Sequence, residues 1–415
     1  MPSRTRALAA TLLTSAVTSF VLATPTPAHA APRVGLVQAV GVTSSTVTLS
    51  WPKYKGATKY KVERASNYAF TKGRKTVGAR TNKVTVKGLR AGTEYCFKVR
   101  AYNRKGKHLA TSARTCKPAA AIAVPKTGVN VTALTYNICS KACDKSADAR
   151  KAGMKNWATR RPIVTRTILG SGADVVALQE SSGWSTVTDD VRSIYSAVPD
   201  NGYYRTSSLL YRTSRFEQVI DTVTFPDPAA EGGVATETTT RAQTIDIGNG
   251  RKATWSELRD KRTGKHIIFV SAHVTPEKGA KFDARRKVET RNLIAKVNAV
   301  NTNKARVVYL GDFNSNKSRG YAQDTPARVM GASGYVDAYD QAKSLSRPNY
   351  NSGANGRLTP VKSYTYGDHV DKVWVRKGDR IGVVAWANIQ PRRGSKYAGP
   401  MGSDHCPIRV TLRVA

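Results

Sequence analysis

Several short polar motifs in this 415-residue chain directly follow apolar stretches that are typical of buried strands. A carboxylate at the end of such a strand can bind a hard divalent cation such as Mg²⁺ through oxygen. Histidines beside carboxylates can transfer protons near neutral pH. The motifs therefore indicate a metal-assisted acid–base site, and they are Thr135-Tyr136-Asn137, Leu178-Gln179-Glu180, His273, Gly311-Asp312-Phe313-Asn314, Asp371 and Ser403-Asp404-His405.

The most specific of these motifs is Gly311-Asp312-Phe313-Asn314. A tight turn at a strand end would project Asp312 and Asn314 to one side while Phe313 points to the core. Each motif also has an ordinary structural explanation when it is taken alone. Asp and Asn often cap turns, so Asp312, Asn314 and Asn137 fit Asx turns, and Glu180 fits a surface residue after a core strand.

In this order, from about Gly128 to the C terminus, the motifs resemble the endonuclease/exonuclease/phosphatase superfamily, which includes deoxyribonuclease I. The resemblance implies an α+β four-layer (α/β/β/α) sandwich of the deoxyribonuclease I-like type over residues 129–415. It also implies a bound Mg²⁺ or Mn²⁺, with Ca²⁺ as a further candidate. Glu180 would be the principal metal ligand, with Asn137 in the same shell and Asp404 near the metal.

The resemblance further implies catalytic roles for five residues. Asp312 would orient or deprotonate the attacking water, and Asn314 would bind the phosphate or the metal. His405 would contact a phosphoryl oxygen or move a proton, and Asp371 would hydrogen-bond to it and raise its basicity. His273 matches the second histidine of the deoxyribonuclease I-like and sphingomyelinase-like members, which the AP-endonuclease-type members usually lack.

Two further residues are weaker candidates for binding the substrate phosphate. Arg251 lies 22 residues before His273, a spacing close to that of the phosphate-binding arginine in deoxyribonuclease I. Tyr203 lies where a substrate-contacting tyrosine would fall. Deoxyribonuclease I carries a glutamate two residues after that tyrosine, whereas this chain carries Arg205, so the acid is supplied differently here or the alignment of this segment is shifted.

Residues 32–117 alternate apolar and polar side chains in short runs, which predicts strands. Leu89, followed six residues later by Tyr95, matches a tyrosine corner, and Trp51 matches a core tryptophan. This region resembles an all-β fibronectin type III sandwich, so the chain is expected to be multidomain. Residues 118–128 are rich in Ala and Pro and are predicted to be a linker.

Mixed strand and helix patterns follow the predicted linker, as expected for an α+β sandwich. Strands are predicted over residues 129–136, 173–178, 266–272, 306–310 and 407–414, and helices over residues 158–169 and 282–300.

Residues 1–30 are typical of a signal peptide, with Arg4 and Arg6 before an apolar stretch and a small-x-small site ending at Ala30. A membrane anchor is the alternative, but the stretch is short and rich in Thr and Ser. We therefore expect a secreted protein without a transmembrane segment.

An extracellular location permits disulfides. Cys96 and Cys116 lie on neighbouring predicted strands and are expected to pair. Cys139 is expected to pair with Cys143, which leaves Cys406 buried and reduced, or with Cys406.

The formal net charge is +39, and residues 32–120 carry 20 Lys and Arg against two acids. A protein this basic concentrates on polyanions through long-range attraction and counterion release, unless the charge serves solubility alone. We expect nucleic acid as the partner, DNA before RNA, and an anionic cell-wall polymer would be attracted too. The protein is expected to act as a monomer.

The function expected from these observations is that of an extracellular, metal-dependent nuclease. A sphingomyelinase-like or other phosphoesterase of the same fold is the first alternative, although residues 324–364 contain no apolar aromatic hairpin for membrane insertion. A non-catalytic polyanion-binding cell-surface protein is the second alternative. Glycan hydrolysis lacks a convincing carboxylate pair.

Overall fold

The computed structural model describes residues 33–181, 187–198, 207–226, 234–318 and 324–415. The predicted signal peptide, Tyr203 and Arg205 lie outside these residues. Among the described residues, no helix is both long and apolar enough to span a lipid bilayer.

The first domain is a β-sandwich whose strands are β1 (Gln38–Val42), β2 (Val47–Ser50), β3 (Lys59–Ala65), β4 (Lys75–Ala79), β5 (Lys83–Val86), β6 (Glu94–Tyr102), β7 (His108–Thr111) and β8 (Thr115–Pro118). One sheet has the order β1-β2-β5, and the other has the order β4-β3-β6-β7 with β8 also paired to β6. Alternating apolar side chains from both sheets fill the core, as in fibronectin type III domains.

Two details of this sandwich follow directly from its sequence. The Tyr95 hydroxyl accepts a hydrogen bond from the Arg90 backbone N–H at 3.1 Å, which forms the expected tyrosine corner. Cys96 and Cys116 are directly opposed on β6 and β8 and form a disulfide. Cys139 and Cys143 form the second disulfide, and Cys406 is a buried free thiol.

The second domain begins at β9 and contains two large sheets. Its strands are β9 (Val129–Asn137), β10 (Val175–Gln179), β11 (Tyr195–Ala197), β12 (Ser207–Arg212), β13 (Phe216–Gln218), β14 (Ile220–Pro226), β15 (Val234–Thr240), β16 (Ala242–Gly248), β17 (Arg251–Asp260), β18 (His266–His273), β19 (Arg306–Asp312), β20 (Tyr335–Asp337), β21 (Ser344–Ser346), β22 (Asp371–Arg376), β23 (Ile381–Asn388), β24 (Arg392–Arg393), β25 (Lys396–Tyr397) and β26 (Ile408–Val414). Its helices are α1 (Ala142–Lys145), α2 (Ala147–Lys151), α3 (Trp157–Ser171), α4 (Val187–Asp190), α5 (Ala280–Val300), α6 (Thr325–Ala332) and α7 (Ala338–Gln341).

The two large sheets face each other across a shared apolar core. The first has the order β11-β12-β10-β9-β26-β23-β21, and the second has the order β13-β17-β18-β19-β22-β20 with β16 paired to β17. Helix α3 covers the outer face of the first sheet, while α5 and α6 cover the second. The expected four-layer α/β/β/α sandwich is therefore confirmed, because each sheet is apolar on both faces.

Residues 119–128 connect the two domains without forming a helix or strand. Ala119 and Ala120 are buried in the core of the first domain, and Ile122 packs against the core of the second. The backbone N–H groups of Ala121 and Ile122 both donate to the Gln341 side-chain oxygen, at 2.7 and 3.1 Å. The connection is therefore fixed to the second domain along its first half.

Direct contacts also join the two domains. The Lys117 ammonium is buried and donates to the Tyr339 carbonyl at 2.7 Å and to Asp340 at 3.1 Å. Lys317 pairs with the same Asp340 at 2.8 Å and with Glu94 of the first domain at 3.6 Å. These contacts hold the fibronectin-type domain against the segment that follows the Gly311–Asn314 motif.

Candidate active site

Strand register brings the polar motifs to one rim of the two-sheet core. In the first sheet, parallel pairing of β9 and β10 sets Asn137 beside Gln179, and Glu180 follows directly. In the second sheet, β18 and β19 are parallel and set His273 beside Asp312. Antiparallel β22 then places Asp371 opposite Asp312. The register alone thus collects motifs that are far apart in sequence.

Asn137 links the two sheets across this rim. Its side-chain amide donates to Glu180 at 3.0 Å and to Asp312 at 3.1 Å, while its oxygen accepts from the Cys139 backbone N–H. Beside Asn137 in the first sheet, Gln179 on β10 donates to Ser271 on β18 at 3.1 Å, which is a second side-chain bond between the two sheets. The two carboxylates are therefore held close to each other by an amide donor.

Asp312 lies at the centre of the group and is 1% exposed. His405 Nε2 lies 3.7 Å and His273 Nε2 lies 3.8 Å from its Oδ2 atom, and His273 Nε2 also lies 3.9 Å from Glu180. His405 Nδ1 lies 2.8 Å from Asp371 Oδ2, which fixes the orientation of that imidazole. Two imidazoles thus converge on one buried carboxylate, and an acid supports one of them from behind.

The electrostatics of the group favour a charged Asp312 and a charged His405. Burial opposes ionisation of Asp312, but His405 and His273 outweigh it and lower its pKa. Burial likewise opposes protonation of His405, but Asp371 and Asp312 outweigh it and raise the His405 pKa well above its ordinary value. The raised pKa favours the imidazolium form of His405, in which Nδ1 donates to Asp371 and Nε2 also carries a proton, 3.7 Å from Asp312 and beyond hydrogen-bond distance.

Gly311 is required at its position by close backbone approach. A Cβ atom there would lie 2.0 Å from the Ala272 carbonyl oxygen on the neighbouring strand. Two non-glycine residues of the site also adopt left-handed backbone conformations, with φ of +52° at Glu180 and +46° at Asn314. Such conformations cost of order 1 kcal/mol or more and concentrate at functional sites, where the surrounding fold enforces them.

Three further predicted site residues, Asn314, Arg251 and Asp404, lie on segments that adjoin this centre. Asn314 donates from its side-chain amide to the Val274 carbonyl at 3.0 Å, and its backbone N–H donates to Asp312. Arg251 begins β17, whose pairing with β18 places it near the end of the strand that carries His273. The Asp404 carboxylate accepts from Ser403 and lies within 4.8 Å of the sulfur atoms of the Cys139–Cys143 disulfide.

Sequence reasoning missed Arg160, which organises two loops of the site. It is fully buried in α3, and its guanidinium donates to backbone oxygens of Cys139, Ser140 and Gly402 at 2.5–3.1 Å. These oxygens belong to the loop after Asn137 and to the loop before Asp404. One arginine among 67 Lys and Arg residues gives no signal in the sequence that it has this role.

The donor set fits a divalent metal ion. Glu180, Asp312 and Asp371 bring three carboxylates together against one His405 imidazolium, and the buried Asp371 Oδ1 atom has no hydrogen-bond partner among the described residues. Excess negative charge on oxygen donors suits hard cations. Glu180 is the best placed to hold such an ion, since its side chain is 29% exposed, with Asn137 bonded to it.

The two-sheet core and the carboxylates and imidazoles at its rim define the class of protein to which the chain belongs. Comparison with family models matches residues 30–116 to the fibronectin type III domain and residues 134–405 to the Endonuclease/Exonuclease/phosphatase family. The second match spans more than half of the chain, so the chain belongs to the endonuclease/exonuclease/phosphatase family. The family is hydrolytic on phosphoester bonds, which supports a phosphoesterase.

The chain is similar to several solved structures at low sequence identity. An endonuclease/exonuclease/phosphatase family protein from Bacteroides thetaiotaomicron is 17% identical, with a TM-score of 0.50 over 70% of this chain and 99% of that chain. A mannosyl-6-phosphatase from the same species is 17% identical, with a TM-score of 0.48 over 68% and 99%. The D. rerio TDP2 complex with single-strand DNA product is 15% identical, with a TM-score of 0.43 over 69% and 99%. Comparison with curated proteins found no match.

Proposed function

We propose that the protein is a secreted, divalent-metal-dependent phosphodiesterase that hydrolyses the nucleic-acid backbone, with DNA as its main substrate. The observation that carries this proposal is the convergence of His273 and His405 on Asp312 beside Glu180. This set can stabilise the charge that develops on a phosphoryl group and move the protons that hydrolysis requires.

The roles of the side chains follow from their contacts. Asp312 is ionised and accepts a hydrogen bond from the attacking water, which it orients in line with the scissile P–O bond. His405, held by Asp371, donates to a non-bridging phosphoryl oxygen. Asp312 accepts the proton that the attacking water loses, and His273 donates a proton to the leaving oxygen. Family behaviour implies that the P–O3′ bond breaks, which leaves a 3′-hydroxyl and a 5′-phosphate.

Mg²⁺ or Mn²⁺ bound by Glu180, with Asp404 nearby, would neutralise charge on the phosphoryl group, and Asn137 would join the metal shell only through its side-chain oxygen, which here accepts from the Cys139 N–H. Arg251 contributes a further positive charge on the same rim. Asn137 keeps Glu180 and Asp312 aligned through its two hydrogen bonds.

The positive net charge of the protein favours nucleic acid as the substrate over an uncharged or small molecule. The net charge of +39 favours a long polyanion, because phosphate contacts release counterions without reading sequence. Activity is expected to fall steeply between low and physiological salt. Activity that stays flat over this range would contradict backbone recognition by charge.

A panel of substrates tests the proposal. Mature protein, beginning at Ala31, is incubated with plasmid DNA, single-stranded RNA, sphingomyelin liposomes and a sugar phosphate, each with Mg²⁺ or with EDTA. The proposal predicts metal-dependent cleavage of DNA at a rate well above that of the lipid and the monoester. Preferential release of phosphocholine or inorganic phosphate by folded protein would assign the site to a different substrate class.

A further inference from the structure

A mixed surface of aromatic and cationic side chains lies where the two domains meet. We define the junction patch as Tyr68, Phe70, Lys98, Arg114, Tyr364 and Tyr366. The first four belong to the fibronectin-type domain, and the two others belong to the catalytic domain. Tyr366 packs against the apolar cluster that contains Phe70 and the Cys96–Cys116 disulfide, so the junction patch is continuous across the domain boundary.

Backbone hydrogen bonds fix the two halves of the junction patch to each other. The Cys116 N–H donates to the Thr365 carbonyl at 2.9 Å. The Thr115 hydroxyl donates to the Tyr364 carbonyl at 2.9 Å. These bonds and the buried Lys117–Asp340 pair hold the two halves of the junction patch in a fixed arrangement.

Two cations of the junction patch each lie over one of its aromatic rings. The Arg114 guanidinium lies 4.4 Å from the centre of the Tyr68 ring, and Lys98 Nζ lies 4.2 Å from the centre of the Phe70 ring. Tyr68 is 50% exposed and Tyr364 is 44% exposed. They are the two aromatic residues among the exposed large hydrophobic side chains of the described ranges. Exposed rings flanked by cations are typical of surfaces that stack nucleobases.

The carboxylates near the junction patch already have ion-pair or hydrogen-bond partners. Glu63 pairs with Arg74 and Arg100, and Glu94 pairs with Lys317. Asp368 accepts a hydrogen bond from the Ser318 hydroxyl. Within the part of the chain that the structure describes, Lys98 and Arg114 form no ion pair with a carboxylate and are therefore available to contact phosphate oxygens.

The junction patch leads directly into the catalytic centre. Tyr364 precedes Asp371 by seven residues, which span at most about 25 Å when fully extended, a length covered by a few nucleotides of a single strand. The Val370 carbonyl on this segment accepts a hydrogen bond from the Phe313 N–H at 2.9 Å. A strand bound with one phosphate at Asp312 can therefore reach the junction patch with its neighbouring nucleotides.

We propose that the junction patch is a subsite for single-stranded nucleic acid, in which unpaired bases next to the scissile phosphate stack on Tyr68 and Tyr364. Lys98 and Arg114 contact the adjoining phosphates. The inference rests on the proposed nuclease function and adds the part of the substrate that this surface recognises. A base in a duplex is covered on both faces and cannot stack on the tyrosines, so the subsite favours unpaired strands.

Binding by an inactive protein tests the subsite without interference from cleavage. His405→Ala is combined with Tyr68→Ala and Tyr364→Ala, and the control combines His405→Ala with Leu169→Ala and Val288→Ala. Leu169 and Val288 are also exposed, at 37% and 47%, and lie on helices of the outer layers. Dissociation constants are measured for labelled oligothymidylate, for an abasic phosphodiester of equal length, and for polyglycerol phosphate.

The tyrosine variant is expected to bind oligothymidylate about tenfold more weakly than the control variant, while its affinity for the abasic strand is unchanged. Equal affinity of the two variants for oligothymidylate would overturn the proposal. An equal loss for the abasic strand or for polyglycerol phosphate would also overturn it, because the surface would then bind anionic polymers without stacking. Circular dichroism of each variant verifies that the fold is intact.

Cleavage by the protein with His405 intact separates this inference from the function on which it rests. If the protein cleaves DNA but the tyrosine variant binds as the control does, the subsite is wrong and the nuclease function stands. If the tyrosines determine binding but no nucleic acid is cleaved, the proposed function is wrong.

Discussion

Two buried clusters of charged side chains in this molecule are built on opposite principles. At the domain junction, Lys117 and Lys317 share Asp340, and Lys317 also pairs with Glu94, so two lysines face two acids. At the rim of the catalytic core, Glu180, Asp312 and Asp371 gather around two imidazoles, and one buried Asp371 oxygen has no partner among the described residues. The first cluster is neutralised internally, whereas the second is left with excess negative charge.

This difference separates a structural cluster from a functional one. Burying ions is costly unless each is paired and hydrogen-bonded, so a saturated cluster can only hold the fold in place. A cluster of like charges is strained until a cation or substrate enters it, which is the condition expected of a metal-dependent site. Removing a member of the catalytic cluster should therefore cost activity, and removing a member of the junction cluster should cost stability.

The largest effect is expected for Asp312→Asn, which should lower kcat by about 10³-fold or more because the water loses its orienting acceptor. The free energy of unfolding at neutral pH should fall as well, because the pKa of Asp312 is lowered in the folded protein and its charge therefore stabilises the fold. Asp260→Asn is the matched control, because Asp260 is equally buried but pairs with Arg215 at 2.8 Å. That control should lose about 3–5 kcal/mol of stability and keep its kcat. A large loss of kcat in Asp260→Asn would break the comparison.

Lys117→Met should lower the free energy of unfolding by about 1–3 kcal/mol, because the Tyr339 carbonyl and Asp340 both lose a buried donor, while burial lowers the pKa of Lys117 to about 7 and so limits the charge that is lost. Turnover of a small chromogenic phosphodiester should be unchanged. Chemical denaturation measures the first quantity, with Lys105→Met as an exposed control in the same domain. Loss of small-substrate turnover by folded Lys117→Met would give the junction cluster a catalytic role.

The two disulfides provide a second comparison between a structural part of the molecule and its catalytic part. They close loops with sequence separations of 20 residues for Cys96–Cys116 and 4 residues for Cys139–Cys143. Replacing each pair by serine should therefore cost about 3 and about 2 kcal/mol of stability, respectively. Activity should follow the opposite order, because the Cys139 N–H donates to Asn137 in the catalytic cluster. Thermal unfolding and DNA cleavage rates measure the two rankings, and equal activity of the two variants would refute the second.

At neutral pH the smallest effect concerns His369, which lies in the segment that joins the two clusters. Burial lowers the pKa of His369 from its ordinary value of 6.5 to about 3, although its contact with the Pro348 carbonyl opposes the shift. Below pH 6.5 the unfolded chain binds a proton that the folded chain does not bind until about pH 3. Stability should therefore fall by about 1.4 kcal/mol per pH unit as pH decreases through this window.

His369→Phe should remove this dependence, and denaturation across the pH range measures it. The exposed His108 provides the control, because His108→Phe should keep the acid dependence of the parent protein. An unchanged slope in His369→Phe would show that another group titrates in this window.

Sequence reasoning succeeded for the fold because strand patterns and short motifs are local. The predicted strand at 266–272 and the Gly311–Asn314 turn occur in the structure as β18 and the end of β19. The site motifs follow such strands, so the register of the sheets was enough to bring His273, Asp312 and Asp371 together.

The domain junction could not be predicted in the same way. Lys117 is one of 67 basic residues, and its burial depends on the position of α7, more than 200 residues later in the chain. The role of Arg160 could not be predicted from the sequence either, because the backbone oxygens that it contacts carry no sequence signal. The predicted linker between the domains resembles a flexible spacer in composition, yet Ala119 and Ala120 are buried by tertiary packing.

The central claim is that the cluster around Asp312 hydrolyses nucleic acid with the help of a metal ion. The most direct measurement is nicking of supercoiled plasmid by mature protein with Mg²⁺, beside His405→Ala and the structural control His266→Gln, whose histidine contacts Glu257 away from the cluster. The account predicts nicking by the parent protein and by His266→Gln, and no nicking by His405→Ala or in EDTA. Nicking that persists in His405→Ala or in EDTA, or no nicking by well-folded parent protein, would contradict it.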